Sequence, residues 1–171
     1  ESLISDKSYL IDKIYTNQEE TNQRIVELRI LLEHSGRISS CTNDLEAIEI
    51  TISSLKNVLK FNICTFIILK PLNKNECITY ANSDLTHQII NEFYELNFIK
   101  LNTANIKITS LEEKIILSNH IDTTITSFKE LNSFFNANLS FNNKLIGFFS
   151  IAQSASEAYN QTTRKFIQTM I

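Results

Sequence analysis

Apolar residues near the start of the chain fall on the steps of three and four that define a heptad repeat. A stripe this narrow is typical of a helix that pairs with a second helix, because burial in a globular core needs a wider apolar face. We therefore expect a coiled-coil-like helix that forms a parallel, in-register homodimer, with a helix folded back on its own domain as the alternative. The predicted dimerisation residues are Ile4, Ile11, Ile14, Ile25, Leu28 and Leu32.

The heptad pattern ends at a polar stretch, and a second region begins there. Gly36 and residues 39–43 interrupt the helical pattern, so we predict a signalling and dimerisation helix with its linker at residues 1–42. Residues 43–171 form the second predicted domain. Asn43, with Glu46 three residues later, matches a capping box and predicts a helix that begins there.

Apolar runs rich in β-branched and aromatic residues predict a sheet in the second region. Residues 63–70 and 76–82 have the composition of two strands in a hairpin, and Asp84 is placed to cap a third helix. A short strand is expected at residues 114–118, followed by a loop or helical turn at residues 121–131.

The clearest local signal is a pair of strand-like runs joined by Asn142 and Asn143. Asparagine tolerates positive φ, so this pair suits a tight two-residue hairpin turn. Counting outward from the turn gives the register of the two strands. The predicted pairs are Leu139 with Ile146, Ala137 with Phe148, and Phe135 with Ser150.

One face of this predicted sheet combines large apolar side chains with asparagines, as a small-molecule pocket does. Buried amides need hydrogen-bond partners, which a ligand or an ordered water can supply. We predict a ligand site on this face, covered by the segment from residue 97 to residue 131, with an ordinary half-polar sheet face as the alternative. The predicted ligand-binding residues are Phe66, Tyr80, Asn82, Asn136, Asn138 and Phe149.

Composition and charge narrow the possible functions. The chain has 2 Gly and 1 Pro, too few for a Gly-rich phosphate loop. A net charge of −3 with scattered basic residues argues against a nucleic-acid surface. No apolar run reaches the roughly 18 residues of a membrane span, and no basic-then-apolar leader follows Glu1. We expect part of a longer cytoplasmic protein without direct membrane contact.

The reactive residue types do not form a recognisable catalytic or metal-binding motif. The three cysteines lack CxxC spacing, and the three histidines are isolated from one another. Reduced thiols are the simplest interpretation of the cysteines, although a redox sensor or reductase that uses Cys64 and Cys77 stays open as an alternative. We predict no catalytic residue, no metal ligand and no cofactor, and hence no enzyme activity in this chain.

The last forty residues resemble the closing segment of a GAF domain. In this resemblance Asn143 stands at the usual turn glycine, Ile146 and Gly147 at the isoleucine-glycine pair, and Tyr159 and Asn160 at the aromatic residue and helix cap. The resemblance covers residues 43–171, and one departure is an asparagine at position 138, where the family often has proline. A PAS domain, the nearest rival, fits less well because it usually opens with strands.

The resemblance implies an α+β fold. It implies an antiparallel sheet with the entering and exiting helices packed on one face and a lidded pocket on the other, preceded here by the long N-terminal helix. It also implies a sensory domain that binds a small ligand and signals through paired helices to a histidine kinase, a diguanylate cyclase or a transcription regulator. The motifs of bilin-binding and cyclic-nucleotide-binding members are missing. A pocketless dimerisation module of GAF-like fold is a further alternative.

Overall fold

The computed structural model describes residues 2–71, 75–82, 84–103, 111–118 and 125–171. The chain divides into two compact units, of which the first contains residues 1–54 and Met170 and the second contains residues 55–169 and Ile171. The α-helices are α1 (Ser2–Ile38), α2 (Asp44–Lys56), α3 (His87–Thr103) and α4 (Gln161–Met170). None of the helices in the described part of the chain is long and apolar enough to cross a membrane.

The second unit contains a five-stranded sheet. Its strands are β1 (Ile63–Ile68), β2 (Asn75–Asn82), β3 (Leu111–Ser118), β4 (Ser133–Phe141) and β5 (Lys144–Gln153). Their order across the sheet is β3-β2-β1-β5-β4. All neighbours are antiparallel except β2 and β3, which run parallel. The sheet is therefore mixed rather than antiparallel throughout, because α3 carries the chain back before β3 begins.

The first unit shows the predicted cap and a buried histidine. Asn43 Oδ1 accepts the Glu46 backbone N–H at 2.9 Å, and the Glu46 carboxylate accepts the Thr42 N–H at 3.0 Å. The helix start at Asn43 is thus confirmed, although the carboxylate reaches one residue further back than a standard capping box. His34 is buried, and its Nε2 lies 3.1 Å from the Met170 carbonyl oxygen and 3.3 Å from Thr51 Oγ1.

The predicted dimerisation residues lie on α1, and their exposure can be stated for five of the six. The side chain of Ile4 lies outside the described residues. The exposed fractions are 43% for Ile11, 62% for Ile14, 51% for Ile25, 59% for Leu28 and 75% for Leu32. These five side chains are accessible to a partner helix, and the homodimer stays a prediction.

The core of the second unit lies between α3 and one face of the sheet. Phe93 and Ile90 of α3 pack against Ile63 and Ile67 of β1, and Ala152 of β5 belongs to the same cluster. The helix begins later than predicted, because Thr86 and not Asp84 provides the cap. The Thr86 hydroxyl accepts the Ile89 backbone N–H at 3.4 Å.

The two C-terminal local signals are confirmed. Asn142 and Asn143 adopt φ of 49° and 60°, as a two-residue turn with both central residues in the left-handed region requires. Asn160 Oδ1 accepts the Thr163 backbone N–H at 2.9 Å and begins α4. Asparagine residues thus set the geometry at both places. In the turn they adopt a positive φ, and at the cap the side-chain oxygen accepts a hydrogen bond.

A β-bulge changes the register of the C-terminal hairpin. Next to the turn, Phe141 pairs with Lys144 and Ser140 with Leu145, as counting from the turn predicts. Between Leu139 and Ser140 the register shifts by one residue. Beyond that point the predicted pairs are wrong, because one extra residue on a strand reverses which side chains share a face. The observed pairs are Leu139 with Gly147, Asn138 with Phe148, Ala137 with Phe149, Asn136 with Ser150, and Phe135 with Ile151.

Candidate ligand-binding site

A cavity of about 640 Å³ opens on the second unit, beside β4 and β5. This volume lies within the range of roughly 300–1,000 Å³ typical of small-molecule sites. Its wall has a polar part, formed by carboxamides and hydroxyls, and an apolar part. The polar lining residues are Asn97, Asn136, Asn138, Ser140, Ser150 and Gln168, and the apolar ones are Ile67, Ala137, Phe148, Phe149 and Ile171.

The register of three strands places the central lining residues on one sheet face. Asn136 lies opposite Ser150, and Asn138 lies opposite Phe148. Phe148 in turn lies opposite Ile67 on β1. Because alternate residues of a strand share a face, these five side chains project from the same side of the sheet. That side also carries the core under α3, so the cavity adjoins the core cluster.

A hydrogen-bonded group joins the cavity to α3. The Ser150 hydroxyl lies 2.5 Å from Asn97 Oδ1 and 2.7 Å from Asn136 Oδ1. Asn97 belongs to α3, and its Nδ2 donates to the Phe93 carbonyl oxygen at 2.9 Å. Asn97 and Ser150 are 4% and 6% exposed, whereas Asn136 is exposed at the cavity mouth. A polar side chain accessible to a ligand is therefore connected to a buried helix residue.

Polar side chains also cross the sheet in a single row. Thr79 lies opposite Thr65 with their hydroxyl oxygens 2.7 Å apart, and Thr65 lies opposite Ser150, which lies opposite Asn136. Tyr94 of α3 lies beside Thr79, and burial raises the pKa of its phenol. The neighbouring rows are largely apolar, so this row is the polar path from the cavity mouth toward the interior.

The six residues predicted to bind ligand do not form one site. Asn136 and Asn138 project from the cavity face, whereas Phe66, Tyr80, Asn82 and Phe149 alternate onto the opposite face of the sheet. The bulge between Leu139 and Ser140 causes this separation. Both asparagines are exposed rather than enclosed, which contradicts the expected covered pocket. Three of the six nevertheless line the cavity, namely Asn136, Asn138 and Phe149.

The opposite face is a packed layer. Phe66 and Phe149 are 3% and 0% exposed, with ring centroids 4.7 Å apart. The Lys56 ammonium lies 5.8 Å from the centroid of the Tyr80 ring. Asn82 is also buried, at 2% exposure. Phe66, Tyr80 and Asn82 therefore have a packing role in this structure.

Four residues on the cavity side are not among the predicted ligand-binding residues, namely Ile67, Asn97, Phe148 and Ser150. The sequence places Asn97 only in the predicted covering segment, although helical periodicity from Phe93 puts it one turn further along the buried face of α3. The register counted from the turn puts Ser150 and Phe148 on the face opposite Asn136, whereas the observed register puts all three on one face. The covering segment itself includes the end of α3 and all of β3, while residues 104–110 and 119–124 lie outside the described part of the chain.

The two buried cysteines lie on opposite sides of the sheet. Cys64 pairs with Tyr80, whereas Cys77 pairs with Ile67, so alternation directs their side chains to different faces. Burial raises the pKa of the Cys77 thiol to about 12 and raises the pKa of the Cys64 thiol still further. Both thiols stay protonated near neutral pH, which lowers their reactivity. In the described part of the chain, no group of three potential metal ligands is found.

The helix and strand order and the mixed five-stranded sheet define an α+β domain with a cavity beside the sheet. No protein-family model matches the sequence, and no curated protein matches it with significant similarity. Among solved structures, the chain is similar to the GAF domain of a phosphoenolpyruvate-protein phosphotransferase from Acinetobacter, with a TM-score of 0.50 and 11% identity. The alignment covers 84% of this chain and 87% of that one. The chain therefore has a GAF-like fold, as its closing segment predicted.

Proposed function

We propose that this chain is a cytoplasmic regulatory GAF domain that binds a small molecule in the cavity beside β4 and β5. The ligand signal passes through paired helices to an output domain outside this sequence. That output domain is a histidine kinase, a diguanylate cyclase or a transcription regulator. The GAF-like fold supports the regulatory class, and the cavity supports the ligand.

The main support for this function is the series of hydrogen bonds that links Asn136 through Ser150 to Asn97. A ligand at the cavity mouth reaches Asn136, and each further step is a hydrogen bond of 2.9 Å or less that ends at the Phe93 carbonyl oxygen within α3. A ligand shifts a conformational equilibrium only by its difference in affinity between two states. Contact with a group bonded to α3 gives a ligand the means to favour one position of that helix.

The exposed apolar stripe of α1 supports the second half of the proposal. Ile14, Leu28 and Leu32 are each more than half exposed. A helix that presents such an apolar stripe to solvent is stabilised when a partner helix covers the stripe. Pairing of two α1 helices provides a dimer through which a change in the sensor domain is transmitted.

A thermal-shift screen against nucleotides and small metabolites tests the ligand claim. A ligand at 100 times its Kd stabilises the native state by about 2.7 kcal/mol, and about 1 kcal/mol raises the melting temperature of a chain this size by roughly 2–4 °C. We expect a rise of about 5–10 °C for the true ligand class.

Two variants test whether the ligand that raises the melting temperature binds in the cavity. Asn136→Ala should remove most of the ligand-induced rise while leaving the melting temperature of the free protein nearly unchanged, since Asn136 is exposed. The matched control is Asn91→Ala on the exposed surface of α3, which should keep the full rise. An equal loss in both variants, or a rise that Asn136→Ala leaves intact, would place the ligand elsewhere.

A pocketless dimerisation module is the second candidate, and the exposed stripe of α1 favours it. It predicts a stable dimer and no ligand-induced stabilisation in the same screen. The redox alternative has less support, because Cys64 and Cys77 are buried on opposite faces of the sheet.

A further inference from the structure

Proton counting in the cavity group fixes the orientation of one amide. The Ser150 hydroxyl carries one proton but lies within hydrogen-bond distance of two amide oxygens, those of Asn97 and Asn136. The orientation of Asn97 is determined independently, because its Nδ2 donates to the Phe93 carbonyl oxygen. Its Oδ1 is therefore the acceptor that faces Ser150, and the single Ser150 proton is used there.

The Asn136 amide must then turn by about 180° to keep its contact with Ser150. Amide nitrogen and oxygen have nearly the same size, so the turn changes no packing. In the turned orientation Asn136 Nδ2 donates to Ser150 Oγ across the 2.7 Å contact, and every member of the group is satisfied. Asn136 Oδ1 then faces the cavity as a hydrogen-bond acceptor.

On the basis of the proposed function, we infer that the cavity selects a ligand that presents an N–H or O–H donor to Asn136 Oδ1. The other carboxamides of the wall, Asn138 and Gln168, offer both donors and acceptors, so the complementary ligand carries both as well. Ile67 and Phe148 provide an apolar surface beside them. The ligand class is a neutral carboxamide, urea or nucleobase-like molecule with an apolar or aromatic part.

Four related probes separate this ligand class from its neighbours. Benzamide carries a donor and an acceptor, N,N-dimethylbenzamide lacks the donor, benzoate replaces the amide by an anion, and phenyl phosphate places a phosphate on the same ring. Titration of the full chain followed by ¹H–¹⁵N NMR gives a dissociation constant for each probe. We expect saturable shifts at Asn136, Asn138 and Phe148 with benzamide, and at least tenfold weaker binding of the other three probes.

Asn136→Leu removes the acceptor while keeping a side chain of similar size. Benzamide should then bind about tenfold more weakly, to the level of N,N-dimethylbenzamide, whose own affinity should stay within twofold. Asn91→Leu on the exposed surface of α3 is the matched control and should change neither affinity. The orientation can also be read in the wild-type protein, where an NOE from the Asn136 side-chain N–H₂ to Ser150 is expected.

The outcomes distinguish this inference from the proposed function. If benzoate, phenyl phosphate or N,N-dimethylbenzamide binds the cavity as tightly as benzamide, the cavity is a ligand site but the donor requirement is wrong. An NOE pattern that places the Asn136 N–H₂ away from Ser150 overturns the orientation, even where Asn136→Leu fails to fold. If no probe causes saturable shifts at the cavity residues, the proposed function and the inference fail together.

Discussion

The two glycines of the chain should respond in opposite directions to substitution by alanine. A Cβ at Gly147 would lie 2.3 Å from the carbonyl oxygen of Ile67, on the neighbouring strand β1. It would also lie 3.3 Å from Leu139 Cδ1. At Gly36 in α1, the added atom would have no neighbour within 4 Å among the described residues outside its own stretch of helix. Gly147 therefore permits a close approach of two strands beside the bulge, whereas Gly36 has no packing role.

The cost at Gly147 can be estimated from the displacement that alanine forces. Ordinary contact begins at 3.4 Å and the added atom would lie at 2.3 Å, so β1 and β5 must separate locally by about 1.1 Å. The adjacent hydrogen bond from the Leu69 N–H to the Ile146 carbonyl oxygen, now 2.8 Å, would stretch to about 3.9 Å, beyond the roughly 3.2 Å limit. Losing that bond costs about 1 kcal/mol and overpacking a further 1–3 kcal/mol. Gly147→Ala should thus destabilise the second unit by about 2–4 kcal/mol.

Urea unfolding measures this effect, with the free energy of unfolding obtained by linear extrapolation. Because Gly147 lies in the second unit, thiol labelling of buried Cys64 and Cys77 reports on that unit in a Cys41→Ser background. Gly36→Ala, measured by helical circular dichroism, should stabilise the first unit by about 0.5–1 kcal/mol, since alanine favours helix over glycine. A Gly147→Ala variant as stable as the parent protein would refute the close approach of β1 and β5.

Four other predictions follow from particular contacts. The double change Ile25→Asn with Leu28→Asn should shift the sedimenting particle from dimer to monomer. Val26→Asn is the control and should not, because Val26 is also exposed on α1 but lies outside the heptad positions. A dimer that survives the double change has another interface. Burial raises the pKa of Cys77 to about 12, above its unfolded value, so the contribution of this thiol to the free energy of unfolding should be present in full below about pH 9 and fall by up to about 1.4 kcal/mol per pH unit between about pH 9 and 12. Cys64, whose pKa burial also raises, contributes in the same range, so Cys77→Ala should reduce the total slope without abolishing it. Burial, with Arg37 nearby, lowers the pKa of His34. The contribution of neutral His34 to the stability of the first unit should therefore be present in full above the ordinary histidine pKa of about 6.5 and be lost as pH falls through the lowered value. A His34→Gln variant with the same acid transition would contradict this. Asn160→Ala should cost about 1 kcal/mol by removing the bond to the Thr163 N–H, and an unchanged urea midpoint would show that the cap is dispensable.

Local signals in the sequence predicted much of the fold. The Asn142–Asn143 turn and the caps at Asn43 and Asn160 depend on neighbouring residues only, and the structure confirms all three. Long-range features were harder to predict. The parallel pairing of β3 with β2 depends on where α3 returns the chain, which no local pattern encodes.

The site was predicted less well than the fold because its assignment depended on a single register. The bulge next to Leu139 has no clear sequence signal, since Ile146 fits the apolar alternation whether or not it is paired. One extra residue moved Asn136 and Asn138 to the face opposite Phe149. The sequence pattern singles out Asn136 and Asn138, but their partners, Ser150 and Asn97, come from positions that only the folded sheet and helix bring together.

We expect a small molecule to bind in the cavity at Asn136, Asn138 and Ser150, and chemical-shift mapping can locate it residue by residue. The compound that raises the melting temperature most is titrated into ¹⁵N-labelled protein, and backbone and side-chain amide shifts are followed to saturation. The largest shifts should occur at these three residues and at Asn97 of α3, which Ser150 contacts at 2.5 Å. Saturable shifts centred instead on the opposite face, at Phe66 and Tyr80, or along α1, with none at Asn136, would contradict binding in this cavity.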